Sequence, residues 1–390
     1  MNTLKSRKKI LALFGSVAFV GALFFFCSFI VCSCQKTTQN LSIPEIKADV
    51  TSNAELKLSE FFENFRMLKL PSDSVMGEIS RIRYENSRIY ISDGRTMFIF
   101  SDTGELLSCF SKRGSGPGEY SNITDFMVDG EKIIVLNRTL KRLLTFDQFG
   151  NSIATQNLDH YAQAISPTVD NSFFLYYGNV NIINYKLQRF RNGKDDSLYV
   201  NLDKKMAYLF IFADYNFHQY QKSIFFFETF NDIIYESFEG GGMRPSYYVD
   251  FIGKNIPASF FEKKYKDVEH FFNEYDRTSY TYGVDYFALY ERFLMFGSYY
   301  QKTKKLTVYD RINHISKTFA TIKDDVYFNG LTIPVSDFIY HANKHIIVPL
   351  NAFEVVEWKK KFPQAEQFKE IVDATKEEDN PILLIFDFKQ

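Results

Sequence analysis

Residues 113–120 read RGSGPGEY, and this stretch decides the fold because of what flanks it. Arg88 to Leu107 reads RIYISDGRTMFIFSDTGELL, and Lys132 to Ile153 reads KIIVLNRTLKRLLTFDQFGNSI. Laid on each other, Tyr90 falls on Ile134, Asp93 on Asn137, Phe100 on Phe146, Asp102 near Gln148 and Gly104 on Gly150, at offsets of 44 to 46 residues. That period is the spacing of propeller blades. In the first copy RIYIS alternates, SDGRT turns, MFIF follows, and SDTG makes a hairpin turn where Asp and Gly tolerate positive φ. One such unit cannot bury both faces of its sheet, whereas several closed into a circle can. Gly116, Pro117 and Gly118 form the loop between copies, since glycine frees φ and proline stiffens the turn. The expectation is all-β: a six-bladed β-propeller with helical insertions, its ring closed by the C-terminal strand. The competing reading is a two-hairpin β-sandwich.

Working outward, the N-terminus carries Lys5, Arg7, Lys8 and Lys9 before the apolar run Ile10 to Val31. Val31-Cys32-Ser33-Cys34 then reads as a lipobox, so residues 1–33 are expected to be a lipoprotein signal peptide and Cys34 the lipidated residue. Acyl chains would replace the apolar segment, at about 0.8 kcal/mol per buried CH₂. The alternative is an uncleaved anchor, since about 20 apolar residues span a bilayer. Residues 34–54 read as a flexible polar tether, and residues 55–390 as the propeller domain.

Three of the four cysteines lie in or at the signal, which leaves Cys109 alone in the folded part. It sits in the strand-like LLSCF and reads as a buried, inert thiol. Beyond the signal, 42 basic residues face 47 acidic ones. A net charge near −5 disfavours nucleic acid as a partner. The 42 Phe and 25 Tyr suit strands that pack on pleated faces.

The segment RGSGPGEYSNITDFMVDGEKIIVLNRTLKRLLTFDQFG resembles the signature of bacterial six-bladed β-propeller lipoproteins of unknown function, relatives of NHL-repeat proteins. NDIIYESFEGGGMRPSYYVDFIGKNIP (Asn231 to Pro257), the Tyr-rich strands from Phe287 to Asp310 and NPILLIFDF (Asn380 to Phe388) resemble the same family. Gly116-Pro117-Gly118-Glu119-Tyr120 is the most specific motif, and residues 160–230 match only loosely. The resemblance implies a propeller in the cell envelope and supplies no reaction. In gut-bacterial lipoproteins an acidic run after the lipidated cysteine resembles a surface-export signal; Gln35-Lys36-Thr37-Thr38 has none. An outer-membrane anchor facing the periplasm or the cell surface is expected, and the missing acidic run favours the periplasm.

Blades are expected at about 79–111, 123–164, 165–212, 223–252 and 286–322, with a sixth from about 337. Leu56 to Leu70 reads as a short helix followed by the strand MLKL. Ser259 to Tyr275 has helical spacing, with Ser259 and Glu262 as a capping box. It is expected to cover a face of the ring, the alternative being a lid over the mouth. Residues 351–361 and 365–374 read as helices split by Pro363. The apolar Ile382 to Phe388 is expected to complete the first blade. Gly240-Gly241-Gly242 lacks the Lys-Ser/Thr of a phosphate cradle.

Candidate chemistry is sparse. Arg113, Glu119 and Tyr120 are the candidate ligand-binding residues: at the rim of the channel the Arg could hold an anion and the Tyr could stack on a sugar. The plainer reading makes them an inter-blade connection. His341 and His345 would lie about 13 Å apart on one strand, and even across a hairpin they fall short of a zinc site. His160, His218, His270 and His314 have no ligand spacing. Asp93, Asp125, Asp285 and Asp325 are carboxylates that separate blades could bring to the axis. No catalytic elbow, paired-cysteine motif or dinucleotide fingerprint occurs. No cofactor or metal is expected. The expected function is a monomeric, membrane-tethered, non-catalytic binding protein for a protein, peptide or glycan ligand. The alternative is an NHL-like envelope hydrolase or lyase with its active site at the central channel and a bound Ca²⁺ or Zn²⁺.

Overall fold

The computed structural model describes residues 43–168, 172–179, 184–191, 194–201, 206, 209, 215–238, 242–335, 341–342 and 345–389. The signal, Cys34, Gly240, Gly241 and the side chain of His341 lie outside the described residues. Six small antiparallel sheets form a six-bladed β-propeller. Blades one to five span 81–110, 125–157, 164–201, 217–250 and 281–324. The sixth combines His341–Ala342, His345–Leu350 and Ile382–Phe388 with Phe62–Lys69 from the other end of the chain.

Sandwiching each blade between two others explains the apolar composition. Ile89, Tyr90 and Ile91 are all buried, so RIYIS does not alternate between core and solvent as expected. Ile89 and Ile91 pack towards blade six against Ile347, Leu383 and Ile385. Tyr90 and Ile99 pack towards blade two against Phe126 and Phe146. Equivalent cores lie between the other neighbouring blades. A strand covered on both faces reads as a continuous apolar run, and each fully buried side chain contributes about 1.5–3 kcal/mol.

The overlay of blades one and two is physical. Asp93 accepts the N–H groups of Arg95 and Thr96 at 2.9 and 2.7 Å, and Asn137 accepts that of Leu140 at 2.8 Å. Gly104 and Gly150 both have positive φ, +88° and +81°, in the next turn.

Closure differs from expectation in one respect. The C-terminal strand is the third strand of blade six and does not join blade one. It pairs Leu384 with Met67 and Leu383 with Leu68, so Phe62–Lys69 becomes the outermost strand of that blade. The stretch expected as tether up to residue 54 also carries structure. Glu45–Lys47 pairs parallel with Tyr248–Asp250 on the edge of blade four, and Ala54–Lys57 pairs parallel with the outer strand of blade five. Ile46, Ala48 and Val50 are fully buried there; their period of two is a strand signal in a polar-looking segment. Blade four begins with Phe217–Tyr220, ahead of the expected boundary.

The helical insertions form at Ala258–Phe261, Val268–Tyr275, Ala352–Lys359 and Lys369–Asp373, and a single turn forms at Leu58–Phe61. The Ser259–Glu262 capping box does not form. The first turn starts after Pro257 without a side-chain cap. Beyond it the Tyr265 hydroxyl donates to the Phe260 carbonyl at 2.6 Å, satisfying an acceptor left at the end of the turn. The second helix is capped by Asp267, which accepts the His270 N–H at 2.9 Å. The pair packs Phe260, Phe271 and Tyr275 against Phe230 and Tyr282, covering the ring beside blades four and five.

Candidate functional site

The innermost strands bring polar groups to the axis. Asp125 of blade two is enclosed and takes the Arg83 guanidinium of blade one at 2.9 Å. Its oxygens also accept the N–H groups of Phe126 and Ile165 at 2.8 and 3.0 Å. Arg83 Nε donates to the Phe126 carbonyl. Arg81 lies 3.7 Å from Asp125 and 5.3 Å from the centre of the Tyr215 ring. Buried ions need such matched partners, because desolvating a charge costs several kcal/mol. His218 is buried; its Nε2–H donates to the Leu289 carbonyl at 3.0 Å, and burial pulls its pKa down to about 4. His345 meets Asp387 through Nδ1, edge-on to the Tyr84 ring at 4.5 Å.

The four carboxylates considered for the axis do not converge. Asp125 alone sits there. Asp93 serves its own turn, Asp285 pairs with Lys304 at 3.0 Å inside blade five, and Asp325 accepts the backbone N–H of Ser59 at 3.0 Å. Among the described residues no three His, Cys, Asp or Glu side chains are arranged to hold a metal ion.

The RGSGPGEY residues build a closed connection between blades one and two. Tyr120 is fully buried; its hydroxyl donates to the Arg95 carbonyl at 3.0 Å and its ring meets Phe146 edge-on at 6.0 Å. A covered ring offers no face to a sugar. Glu119 folds back and accepts the Gly116 N–H at 2.9 Å. Gly118, at φ +73°, turns the chain beside Ser152, and Arg142 donates to the Ser115 and Gly116 carbonyls at 3.1 and 3.2 Å. Pro117 is exposed in the same loop, and Arg113 is exposed beside Tyr120. The structure therefore gathers these residues at an inter-blade joint. Cys109 is exposed rather than buried, because its strand is the outermost of blade one.

An open site lies on the face that carries the Ala352–Lys359 helix. The loop after Leu70 and this helix flank a cleft of about 680 Å³. Asn380 fixes the loop: its amide donates to the carbonyls of Pro71 and Ser74 at 2.6 and 2.7 Å and accepts the Met76 N–H at 3.0 Å. Met76, Ile79, Ile333, Leu350, Pro349 and Pro381 give the cleft apolar walls. Phe353 and Trp358 join them from the helix, and Phe353 is 55% exposed although Ala352, Val355 and Val356 are buried. Glu78, Glu354, Glu377 and Asp379 supply the charge. A neighbouring cleft of about 780 Å³ shares Gly77, Glu78 and Ile79 and runs to Arg81 and Arg95. None of these residues was singled out from sequence. The available signal was the sole tryptophan on a helix whose Phe353 falls off its buried side.

Over residues 41–387 the chain matches the family described as Domain of unknown function (DUF4934), and it belongs to that family. Among solved structures it is similar to the "Putative exported protein" of Bacteroides fragilis, at 18% identity and a TM-score of 0.69, covering 89% of this chain and 99% of that one. It is also similar to a DUF4221 family member from Bacteroides vulgatus, at 11% identity and a TM-score of 0.50, covering 84% and 98%. At these identities the likeness is one of fold. No curated protein matches the sequence.

Proposed function

We propose that this chain is a lipid-anchored, non-catalytic binding protein of the cell envelope, acting as a monomer, which seats a peptide, protein or glycan ligand in the cleft beside the Ala352–Lys359 helix. The observation that carries this reading is the cleft itself. It offers an exposed Phe353 and a partly buried Trp358 beside apolar walls, with the flanking loop fixed by Asn380, as concave ligand sites do. The axial groups support it from the other side. Asp125, Arg83 and His218 are committed to partners within the fold. The likeness to the "Putative exported protein" of Bacteroides fragilis and the Val31-Cys32-Ser33-Cys34 pattern support the envelope address.

Two measurements test the reading. Cells making the full chain should incorporate labelled fatty acid into it, and Cys34→Ala should abolish the label. Fractionated envelope peptides and glycans, added to the purified protein, should include one that binds and is recovered unchanged. Recovery of a cleaved or rearranged product would overturn the non-catalytic assignment.

A further inference from the structure

We infer that the cleft beside the Ala352–Lys359 helix takes a cationic, apolar segment of a polypeptide, with a lysine or arginine flanked by apolar side chains. The inference rests on the binding reading above and narrows it to one ligand chemistry. It follows from what the lining can and cannot do. Glu78, Glu354, Glu377 and Asp379 line the cleft, and no Lys or Arg is among its lining residues. Asp379 is offset by Lys69 at 2.7 Å, and Glu354 accepts the Asn351 backbone N–H at 3.1 Å. Glu78 and Glu377, both exposed, have no hydrogen bond or ion pair from the wall; Glu377 feels Lys360, which stands outside the lining, so Glu78 brings the least compensated charge.

Hydrogen-bonding capacity points the same way. The lining side chains include four carboxylates, one amide (Asn351) and the Trp358 indole, and no Ser, Thr or Tyr. Carboxylates only accept, so the complementary ligand is rich in donors. Ammonium and guanidinium groups donate and do not accept, whereas sugar hydroxyls need both kinds of partner. The aromatic pair adds to this. A cation over an indole or phenyl face gains about 0.5–1 kcal/mol at exposed sites, and the apolar walls suit the side chains on either side of it. An anionic lipid surface would meet like charge here and is disfavoured.

Trp358 is the chain's sole tryptophan, so its emission reports on this cleft. The full chain in detergent would be titrated with three probes. The first is a pool of acetylated, amidated tetrapeptides with two lysines and two apolar residues. The second is the same pool with glutamate for lysine, and the third is maltoheptaose. The lysine pool alone should shift the emission saturably, with affinity falling roughly tenfold between low and high salt. Phe353→Ala, and separately Glu78→Gln with Glu377→Gln, should each weaken it by about three- to tenfold, with an unchanged melting temperature. If maltoheptaose or the glutamate pool binds instead, this inference falls and the binding reading stands. If no probe moves the emission, or if lysine-pool binding survives both sets of substitutions, the inference falls as well. Cleavage of the peptides would overturn both.

Discussion

The backbone N–H of Ile82 donates to the hydroxyl of Tyr215 at 3.1 Å, and these two residues belong to opposite sides of the ring. Ile82 lies on the innermost strand of blade one, and Tyr215 directly precedes that of blade four. The bond crosses the axis, with Arg81 5.3 Å from the same ring. Tyr215→Phe keeps the packing volume and removes only the acceptor, leaving a buried N–H without it. The expected cost is about 1–2 kcal/mol, measured as a lower denaturant midpoint with an unchanged slope. A midpoint equal to that of the parent would show that this contact does not tie the blades.

Local pattern made blades one and two legible because each period carries its own turn chemistry: Asp93 and Asn137 do the same work, as do Gly104 and Gly150. What stayed hidden depends on partners distant in sequence. MLKL reads as a strand by itself, but its place in blade six depends on a C-terminal strand more than 300 residues away. Gly and Pro around Tyr120 point to an inter-blade turn, with the rim placement as the sharper alternative; only the fold shows that the turn drives the Tyr120 ring into the core against Phe146. Cys109 read as buried because strand pattern cannot tell an outermost strand from an inner one. The cleft joins residues near 77, 353 and 379, and no window of sequence contains all three.

The shared blade fixes how the ring fails. Phe388 packs on Phe62, Tyr290 and Phe293 at centroid distances of 4.7, 4.5 and 5.5 Å. Phe388→Ala should cost about 3–5 kcal/mol, since a buried ring leaves a cavity. Deleting 380–390 removes the middle strand of the closing ladder and the Asn380 clamp together, and should abolish the cooperative melt. A truncated chain with the melting temperature of the intact protein would refute closure by this strand.

Two titratable groups, the partly buried Asp232 and the buried His218, give the acid response opposite signs. Burial raises the Asp232 pKa from 3.8 to about 6, with Asp250 adding to the effect. Its contribution to stability is fully present below the unfolded value and is lost as pH rises through about 6. Asp232→Asn should therefore stabilise the protein at pH 7 by roughly 1–3 kcal/mol, with the gain vanishing towards pH 4. His218 behaves oppositely: burial lowers its pKa from 6.5 to about 4, so its contribution is present above 6.5 and lost as pH falls through 4. His218→Gln should flatten the acid limb of the melting profile. Parallel profiles for parent and both variants would contradict these assignments.

The overlaid glycines Gly104 and Gly150 separate backbone strain from packing. Both have left-handed φ, +88° and +81°, so alanine at either carries the same backbone penalty of about 1–2 kcal/mol. Their surroundings differ. A Cβ on Gly104 would find its nearest neighbour, Leu68 Cβ, at 3.7 Å, an ordinary contact. A Cβ on Gly150 would lie 2.4 Å from Phe110 Cγ, inside the core between blades one and two. Phe110 is packed against Phe146 at 5.5 Å and has no room to withdraw. Gly150→Ala should thus destabilise by about 1–3 kcal/mol more than Gly104→Ala, and in a Phe110→Ala background, which removes Cγ and Cδ1, the difference between the two glycines should shrink. Equal losses at the two glycines would mean that the blade-one edge yields freely, and that the close approach of Gly150 to Phe110 does not set the spacing of these blades.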